Sequence, residues 1–318
     1  MSDELLVPVP GEPVGQVAGV PVVQDVSDAA SVSRSASSDG RGAGRDLLTV
    51  VHVYPHLLGT YGDAGNAIVL RKRAADRGIG VQVIVVQPGE PVPTQGDIYL
   101  LGGGEDAKQT AAARELREDG GLVEAARRGA AVFGICAGYQ LLGETFLGVG
   151  DVVTPGLGLL DVRTDRLEHR AVGNLLARPV AGVDLPELIG FENHGGATVV
   201  GPDARPIAHV AIGIGNGDGR GTEGAVQGNV YGTYLHGPAL ALNPELADRL
   251  IATAVGELAP LDDTLADRLR GHRLREVLPA SARSSRLHRL VSAVRGGRDT
   301  GVSGATATLS STPASPRS

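Results

Sequence analysis

The first half of the chain alternates short apolar runs with segments whose apolar residues recur at helical spacing. The runs that fit buried strands are at residues 47–53, 81–86, 97–101 and 131–135. Between them, Gly65 to Arg77 has helical spacing and is followed by Gly78, a typical helix-ending residue, and a later helix is predicted to run to Arg128. This alternation predicts an α/β fold with a central, mostly parallel sheet flanked by helices.

The second half is strand-rich, with short apolar segments separated by glycine turns. The turn signals are Gly195-Gly196, residues 215–219 and Gly228-Asn229. Helical spacing returns from about Pro244. We find no internal repeat and predict one α/β domain at residues 46–260, followed by a C-terminal helical extension at 261–278.

Both ends of the chain are predicted to be disordered. The arm at residues 1–45 is rich in Ser, Gly, Pro and Asp, and the tail at 279–318 ends in Ser, Thr and Pro with a mild positive charge. Such segments bury too little apolar surface to offset the entropy lost on ordering. We expect the basic residues of the tail to be solvated and not to form a binding site.

Composition and charge narrow the functional classes. The chain is 42% apolar and carries a net charge of -7 with no basic block in its middle, which disfavours binding to nucleic acid or anionic lipid. Its single cysteine excludes an internal disulfide, and no Cys/His cluster has zinc spacing, so we expect no metal. Neither an export signal nor an apolar run of about eighteen residues is present, so we expect a cytoplasmic protein without a membrane span.

That cysteine, Cys136, lies where an apolar strand breaks at small residues and restarts as a helix. A strand-turn-helix corner lifts a nucleophile clear of the sheet, and the amides and dipole of the following helix favour the thiolate form. Parallel strands also place ligand sites at their carboxyl ends, where Cys136 falls. The competing interpretation is a buried cysteine that only fills space.

An attacking cysteine needs a base and donors for the oxyanion that forms. His236 follows an apolar strand and is the preferred base, with His194 in a glycine turn as the competitor. The amide of Ala137 and one from Gly103 or Gly104 are the natural oxyanion donors. The triple glycine could also cradle phosphate, but it lacks the Lys-Ser/Thr ending of a P-loop and the spacing of a dinucleotide fingerprint.

Three glycine-flanked strand ends follow one another in a specific order. They are Leu101-Gly102-Gly103-Gly104, Gly134-Ile135-Cys136-Ala137-Gly138-Tyr139-Gln140 and Gly232-Thr233-Tyr234-Leu235-His236-Gly237. Together they resemble class I glutamine amidotransferases of the cobyric-acid-synthase (CobB/CobQ) type. Two further motifs, Tyr61-Gly62-Asp63-Ala64-Gly65-Asn66 and Gly190-Phe191-Glu192-Asn193-His194-Gly195-Gly196, resemble the GatD branch, the glutaminase subunits of bacterial lipid II isoglutaminyl synthase. The resemblance covers about residues 47–260.

The resemblance implies a mechanism and a partner. Cys136 would attack the side-chain amide of L-glutamine, and His236 would shuttle the proton while ammonia leaves and water hydrolyses the thioester. In this family ammonia passes to a MurT-like Mur ligase subunit, which uses ATP to amidate the D-glutamate α-carboxylate of the lipid II stem peptide. The resemblance therefore implies a heterodimer that works at the inner membrane face, meets lipid II through the partner, and has no cofactor in this chain, with ATP and Mg on the partner.

The family pattern also points to substrate contacts and to one departure. Arg170 falls where GatD proteins have an arginine that holds glutamine, and a guanidinium suits an α-carboxylate. Gln140 matches the family pattern and would line the same pocket. Many class I enzymes have Glu two residues after the catalytic His, but Pro238 stands here. Asp63 and Glu192 are the candidates for orienting His236, whereas His194 is expected to be structural or to line the pocket.

Three alternatives stay open at this point. A cysteine hydrolase on the same scaffold would also present a corner cysteine and a strand-end histidine, although Gln140 favours the amidotransferase. An amidotransferase of another pathway, such as cobyrinate amidation, is usually fused to an ATP-using domain that is not recognisable here. A non-enzymatic binding subunit with an inert Cys136 would have no thiolate at neutral pH and no glutaminase activity.

Overall fold

The computed structural model describes residues 47–59 and 62–278. The predicted arm at 1–45 and the predicted tail at 279–318 lie outside the described residues, as does Tyr61 of the first GatD-like motif. The strands are β1 Leu47–Val53, β2 Gly80–Val86, β3 Ile98–Leu101, β4 Ala131–Ile135, β5 Thr145–Leu147, β6 Val153–Pro155, β7 Val162–Pro179, β8 Leu188–Val200, β9 Ala208–Ile212, β10 Thr222–Glu223, β11 Ala225–Gln227 and β12 Val230–Thr233. The α-helices are α1 Gly65–Ala75, α2 Asp106–Asp119, α3 Gly121–Arg127, α4 Ala137–Leu142, α5 Ala239–Leu242, α6 Pro244–Val255 and α7 Thr264–Val277.

A first sheet contains six strands in the order β11-β12-β4-β3-β1-β2. Its neighbours pair in parallel except β11, which pairs antiparallel with β12 at one edge. The central strands β3 and β4 are buried along their whole length, as continuous apolar runs in a parallel sheet should be. This sheet confirms the predicted α/β class. It also brings the carboxyl ends of β3, β4 and β12 side by side.

The helix that the sequence predicts up to Arg128 is two helices in the structure, α2 and α3. Gly120 joins them with a φ of 73°, in the left-handed region where a helix ends and glycine is favoured. Gly121 then passes so close to the chain that a Cβ on it would lie 2.2 Å from the carbonyl oxygen of Val92. The single prediction was wrong because two glycines in succession turn the chain there.

A second sheet is formed by the later part of the chain and is mostly antiparallel. Its order is β10-β9-β7-β5-β6, with β8 paired to β7. The long strands β7 and β8 form an antiparallel hairpin, and its register shifts between Arg166 and Ala171. The shift places residues 167–170 in an irregularity, where side chains can be directed away from the regular pleat.

The two sheets meet beside the end of β12. Phe191 of β8 and His236 form an antiparallel bridge in which each amide donates to the other's carbonyl oxygen, at 3.2 and 2.8 Å. The bridge fixes the hairpin against the carboxyl edge of the first sheet. Within the described part of the chain, no helix is long and apolar enough to cross a membrane.

Candidate active site

Cys136 stands at a sharp corner between β4 and α4. Its φ of 53° lies in the left-handed region, which is uncommon for a residue other than glycine. Close packing shapes the corner, because a Cβ on Gly138 would lie 2.6 Å from the carbonyl oxygen of Leu101. The Cys136 amide donates to the carbonyl oxygen of Thr233 at 2.9 Å, which ties the corner to β12. The residue is thus held at the carboxyl edge of the sheet with 7% of its surface exposed.

His236 and Asp63 lie beside Cys136 and form one arrangement with it. The Nδ1 atom of His236 lies 3.3 Å from Oδ1 of Asp63, and both side chains are buried. A carboxylate at Nδ1 fixes the ring orientation and leaves the other ring nitrogen for the thiol. Asp63 is therefore the one of the two predicted orienting residues that the structure places on His236.

The environment of His236 favours its charged form. Burial alone would lower the pKa of the imidazole, but hydrogen bonds to Asp63 and Cys136 outweigh burial and raise the pKa to about 9. At neutral pH the arrangement therefore holds an imidazolium between a carboxylate and the cysteine sulfur. The imidazolium holds a proton that can be given to a leaving group.

The segment that carries Asp63 is fastened to the chain just after His236. Asn66 donates from Nδ2 to the carbonyl oxygen of Asp63 and accepts from the amide of Leu240, each at 2.9 Å. A Cβ on Gly65 would lie 2.3 Å from Cγ of Pro238. Pro238, where the sequence departs from the wider amidotransferase pattern, thus packs against the segment that supplies the carboxylate.

The glycine turn after β3 lies between the acid and the base. The amide of Gly103 donates to Oδ2 of Asp63 at 2.7 Å. A Cβ on Gly103 would lie 3.0 Å from Cε1 of His236 and 3.6 Å from Cβ of Cys136. The sequence offered Gly103 or Gly104 as an oxyanion donor beside Ala137. With the Gly103 amide engaged by Asp63, Gly104 is the remaining candidate in the turn.

Glu192 and His194 lie in a different environment. The Glu192 carboxylate accepts from the amides of Ile214 and Gly215, at 2.8 and 2.9 Å, and its Oε2 lies 3.7 Å from Nε2 of His194. The His194 ring stacks on Tyr234 with the ring centroids 3.6 Å apart. Both side chains are buried. Glu192 thus holds a glycine turn of the second sheet, and His194 packs between Glu192 and Tyr234.

Arg170 reaches the site through Asn193 on the neighbouring strand. Its guanidinium donates to Oδ1 of Asn193 at 2.6 Å and to the Asn193 carbonyl oxygen at 3.1 Å. That carbonyl oxygen lies 4.0 Å from the sulfur of Cys136. Sequence reasoning did not single out Asn193, although it stands inside the quoted Glu-Asn-His-Gly-Gly motif. In the structure, a single residue, Asn193, therefore connects the exposed Arg170 to Cys136.

Gln140 is engaged in a buried hydrogen-bond network behind the corner. Its Oε1 accepts from Nε2 of Gln109 at 2.9 Å, and its Nε2 donates to the Tyr234 hydroxyl at 3.0 Å. Gln109 also contacts the carbonyl oxygen of Ala137 at 3.3 Å. The network braces the first turn of α4. Among residues 47–59 and 62–278, no group of three or more His, Cys, Asp or Glu side chains could hold a metal ion.

Comparison with known proteins is consistent with this geometry. Residues 49–244 match the sequence model of the CobB/CobQ-like glutamine amidotransferase domain. The lipid II isoglutaminyl synthase (glutamine-hydrolyzing) subunit GatD of Staphylococcus aureus is 37% identical over 65% of this chain and 84% of its own length, and that of Streptococcus pneumoniae is 34% identical over 65% and 80%. A cobyric acid synthase of Sphingopyxis alaskensis is 37% identical over 54% of this chain, but over only 35% of its own length.

Proposed function

Because the chain belongs to the family of CobB/CobQ-like glutamine amidotransferases, we propose that it is the glutaminase subunit of a lipid II isoglutaminyl synthase. In this role it hydrolyses L-glutamine to glutamate and ammonia. The observation that carries the proposal is the grouping of Cys136, His236 and Asp63 at one edge of the parallel sheet, inside the matched region.

The grouping supports a two-stage reaction. The Cys136 thiolate attacks the side-chain carbonyl carbon of glutamine, and the amide of Ala137 stabilises the oxyanion that forms. The His236 imidazolium then gives its proton to the nitrogen, ammonia leaves, and a thioester remains. Neutral His236 next removes a proton from water, hydroxide attacks the thioester carbon, and glutamate departs from the sulfur, which restores the pairing of thiolate and imidazolium.

Arg170 is the proposed anchor for the α-carboxylate of glutamine. Its guanidinium is exposed and is oriented by the Asn193 side chain at 2.6 Å. A planar guanidinium can bind a carboxylate with two parallel hydrogen bonds, which fixes the rest of the substrate relative to the sulfur. Gln140 contributes by bracing α4, and not through a free amide that faces the substrate.

The acceptor chemistry belongs in this proposal to a second polypeptide. The relatives' names describe a subunit, and we propose a MurT-like ligase partner that binds ATP and Mg and amidates the D-glutamate α-carboxylate of the lipid II stem peptide to D-isoglutamine. The complex would then act in the cytoplasm at the inner membrane face. Cobyrinate amidation is a second candidate because of the match to cobyric acid synthase, whose greater length this chain does not span.

The first test is release of glutamate from L-glutamine by the purified chain, alone and with a MurT-like partner. Wild type should release glutamate in at least one preparation, and Cys136→Ala should release none. Asp119→Asn is the matched control, since Asp119 is a carboxylate on α2 that accepts from the backbone amides of Val92 and Gly121. If neither wild-type preparation releases glutamate, the chain is not a glutaminase and an inert Cys136 becomes the explanation.

Identifying the acceptor separates the two pathways. The complex with a MurT-like partner, ATP and Mg should convert lipid II to its D-isoglutamine form at the expense of glutamine, as measured by the mass of the stem peptide. Amidation of a corrinoid acid instead of lipid II would favour cobyrinate amidation.

A further inference from the structure

The two oxygens of the Asp63 carboxylate have different partners. Oδ1 lies 3.3 Å from Nδ1 of His236, and Oδ2 accepts the amide of Gly103 at 2.7 Å. Asp63 is only 2% exposed, so water competes little for either oxygen. The carboxylate thus contacts the group that moves the proton and also the turn that follows β3.

The glycine turn packs so closely against its neighbours that it leaves no room for side chains. A Cβ on Gly102 would lie 2.9 Å from Cβ of Asp63, and one on Gly103 would lie 3.3 Å from Oδ2 of Asp63. On its other side, Gly104 packs so closely that a Cβ on it would lie 2.7 Å from the carbonyl oxygen of Leu57. The turn therefore runs as bare backbone between Asp63 and the 57–58 segment, and its Gly103 amide is hydrogen-bonded to Asp63.

We propose that Asp63 is a positioning residue for two parts of the reaction at once. One oxygen orients His236 for proton transfer, and the other anchors the glycine turn that faces the oxyanion. Gly103 is then the anchor of the turn and not an oxyanion donor, which leaves Ala137 and Gly104 to supply the donors. The inference rests on the proposed glutaminase function and deepens it.

The chemistry of the contacts explains why one carboxylate can serve both purposes. A charged acceptor binds a backbone amide more strongly than a neutral one, so the turn is held in place before substrate arrives. Donors that are already in position stabilise an oxyanion without reorganisation during the reaction. Asp63 thereby keeps the oxyanion donors and the proton donor in register with Cys136.

Asp63→Asn separates the two contacts. The amide oxygen of asparagine can still accept from Gly103, whereas its NH₂ group would then face Nδ1 of His236 and donate to it. His236 would carry its proton on the ring nitrogen beside Cys136 and could no longer remove a proton there. Asp63→Ala loses both contacts. Both variants therefore lack the carboxylate at His236, but only Asp63→Asn keeps the hydrogen bond from Gly103.

Two measurements report on the two contacts. Alkylation of Cys136 by iodoacetamide across pH reports the pairing of thiolate and imidazolium. Equilibrium binding of L-glutamate γ-semialdehyde reports the oxyanion position. In that adduct a bond forms between the sulfur and the aldehyde carbon, and the thiol proton ends on the former carbonyl oxygen. Asp119→Asn is the control for carboxylate-to-amide exchange away from the site.

The expected result is a split between the readouts. Both variants should lose the wild-type pH profile of alkylation. The affinity of Asp63→Asn for the aldehyde should stay within about threefold of the wild-type affinity, whereas Asp63→Ala should bind the aldehyde about tenfold or more weakly than Asp63→Asn. Equal aldehyde affinity in the two variants, or an equal loss of both readouts in Asp63→Asn, overturns the anchoring role. A wild type that releases no glutamate overturns the proposed function itself. Thermal unfolding of each variant shows whether it is folded.

Discussion

The parallel sheet and the β7–β8 hairpin contribute to the same site in opposite ways. The sheet side supplies Cys136, Asp63 and His236, which are 7%, 2% and 1% exposed. The hairpin supplies Arg170, which is exposed and is linked to the site through Asn193. The three sheet-side groups are buried, whereas the guanidinium is exposed and is held by two hydrogen bonds to Asn193. The comparison teaches that the proposed bond-breaking groups and the proposed substrate anchor lie on separate structural elements.

This division predicts that substitutions in the two regions change different kinetic constants. Loss of a group on the sheet side should lower kcat with little effect on KM, because that group acts on the reacting atoms. Loss of the hairpin anchor should raise KM and also misplace the bound substrate.

The largest effect is expected for His236→Asn. The variant keeps a polar side chain but has no group that can carry the proton to the leaving nitrogen, so kcat should fall by about 10³-fold or more with KM nearly unchanged. Steady-state glutamate release measures both constants. A rise in KM at unchanged kcat would place His236 among the substrate contacts and break the comparison.

A smaller effect, of about 10²-fold in kcat/KM, is expected for Arg170→Ala. Most of it should appear in KM. The decisive measurement is the rate with 4-aminobutanamide, which is glutamine without its α-carboxylate. Wild type should strongly prefer glutamine over this analogue, and the variant should lose that preference.

Arg178→Ala is the matched control for the anchor. Arg178 is an exposed arginine of the same strand, and its partner Glu187 lies 3.1 Å away. This variant should keep the wild-type preference for glutamine. A preference for glutamine that survives in Arg170→Ala would show that the α-carboxylate is held elsewhere.

The pH dependence of the reaction sharpens the sheet side of the comparison. The pKa of His236 is raised to about 9, because its hydrogen bonds outweigh burial, so the imidazolium is present below that pH and is lost above it. The value of kcat/KM should therefore fall about tenfold per pH unit above pH 9. Arg170→Ala should show the same fall in kcat/KM at alkaline pH. A limb near the usual histidine value of about 6.5 would contradict the Asp63 contact.

The smallest effect concerns stability at the junction of the sheets. Burial raises the pKa of Glu223 to about 7, against the hydrogen bonds from Thr233 and Tyr234. An acid whose folded pKa is raised loses stability as pH rises from its unfolded value to its folded one, here by about 3 kcal/mol at most. The melting temperature of Glu223→Gln minus that of wild type should therefore increase as the pH rises from 5 to 8. A difference that does not change with pH would contradict the raised pKa.

The sequence predicted the two regions unequally, for a physical reason. The strands β3 and β4 are buried throughout, so the sequence shows them as continuous apolar runs, and the corner at Cys136 can be recognised where the second run ends. The β7 and β8 strands alternate buried and exposed residues around a register shift, and their lengths were not predicted. Asp63 could not be distinguished from Glu192, because its contact with His236 spans 173 positions and depends on how Gly65 packs against Pro238.

The most direct test of the central claim is covalent labelling with the diazoketone analogue of L-glutamine. The thiolate would attack the carbon that bears the diazo group, dinitrogen would leave, and one proton would be taken up. Peptide mass spectrometry should find the expected mass gain on Cys136, with L-glutamine protecting the site and L-asparagine not. His236→Asn should label much more slowly. Absence of labelling in wild type, or labelling that glutamine does not suppress, would contradict a glutamine-binding nucleophile at Cys136.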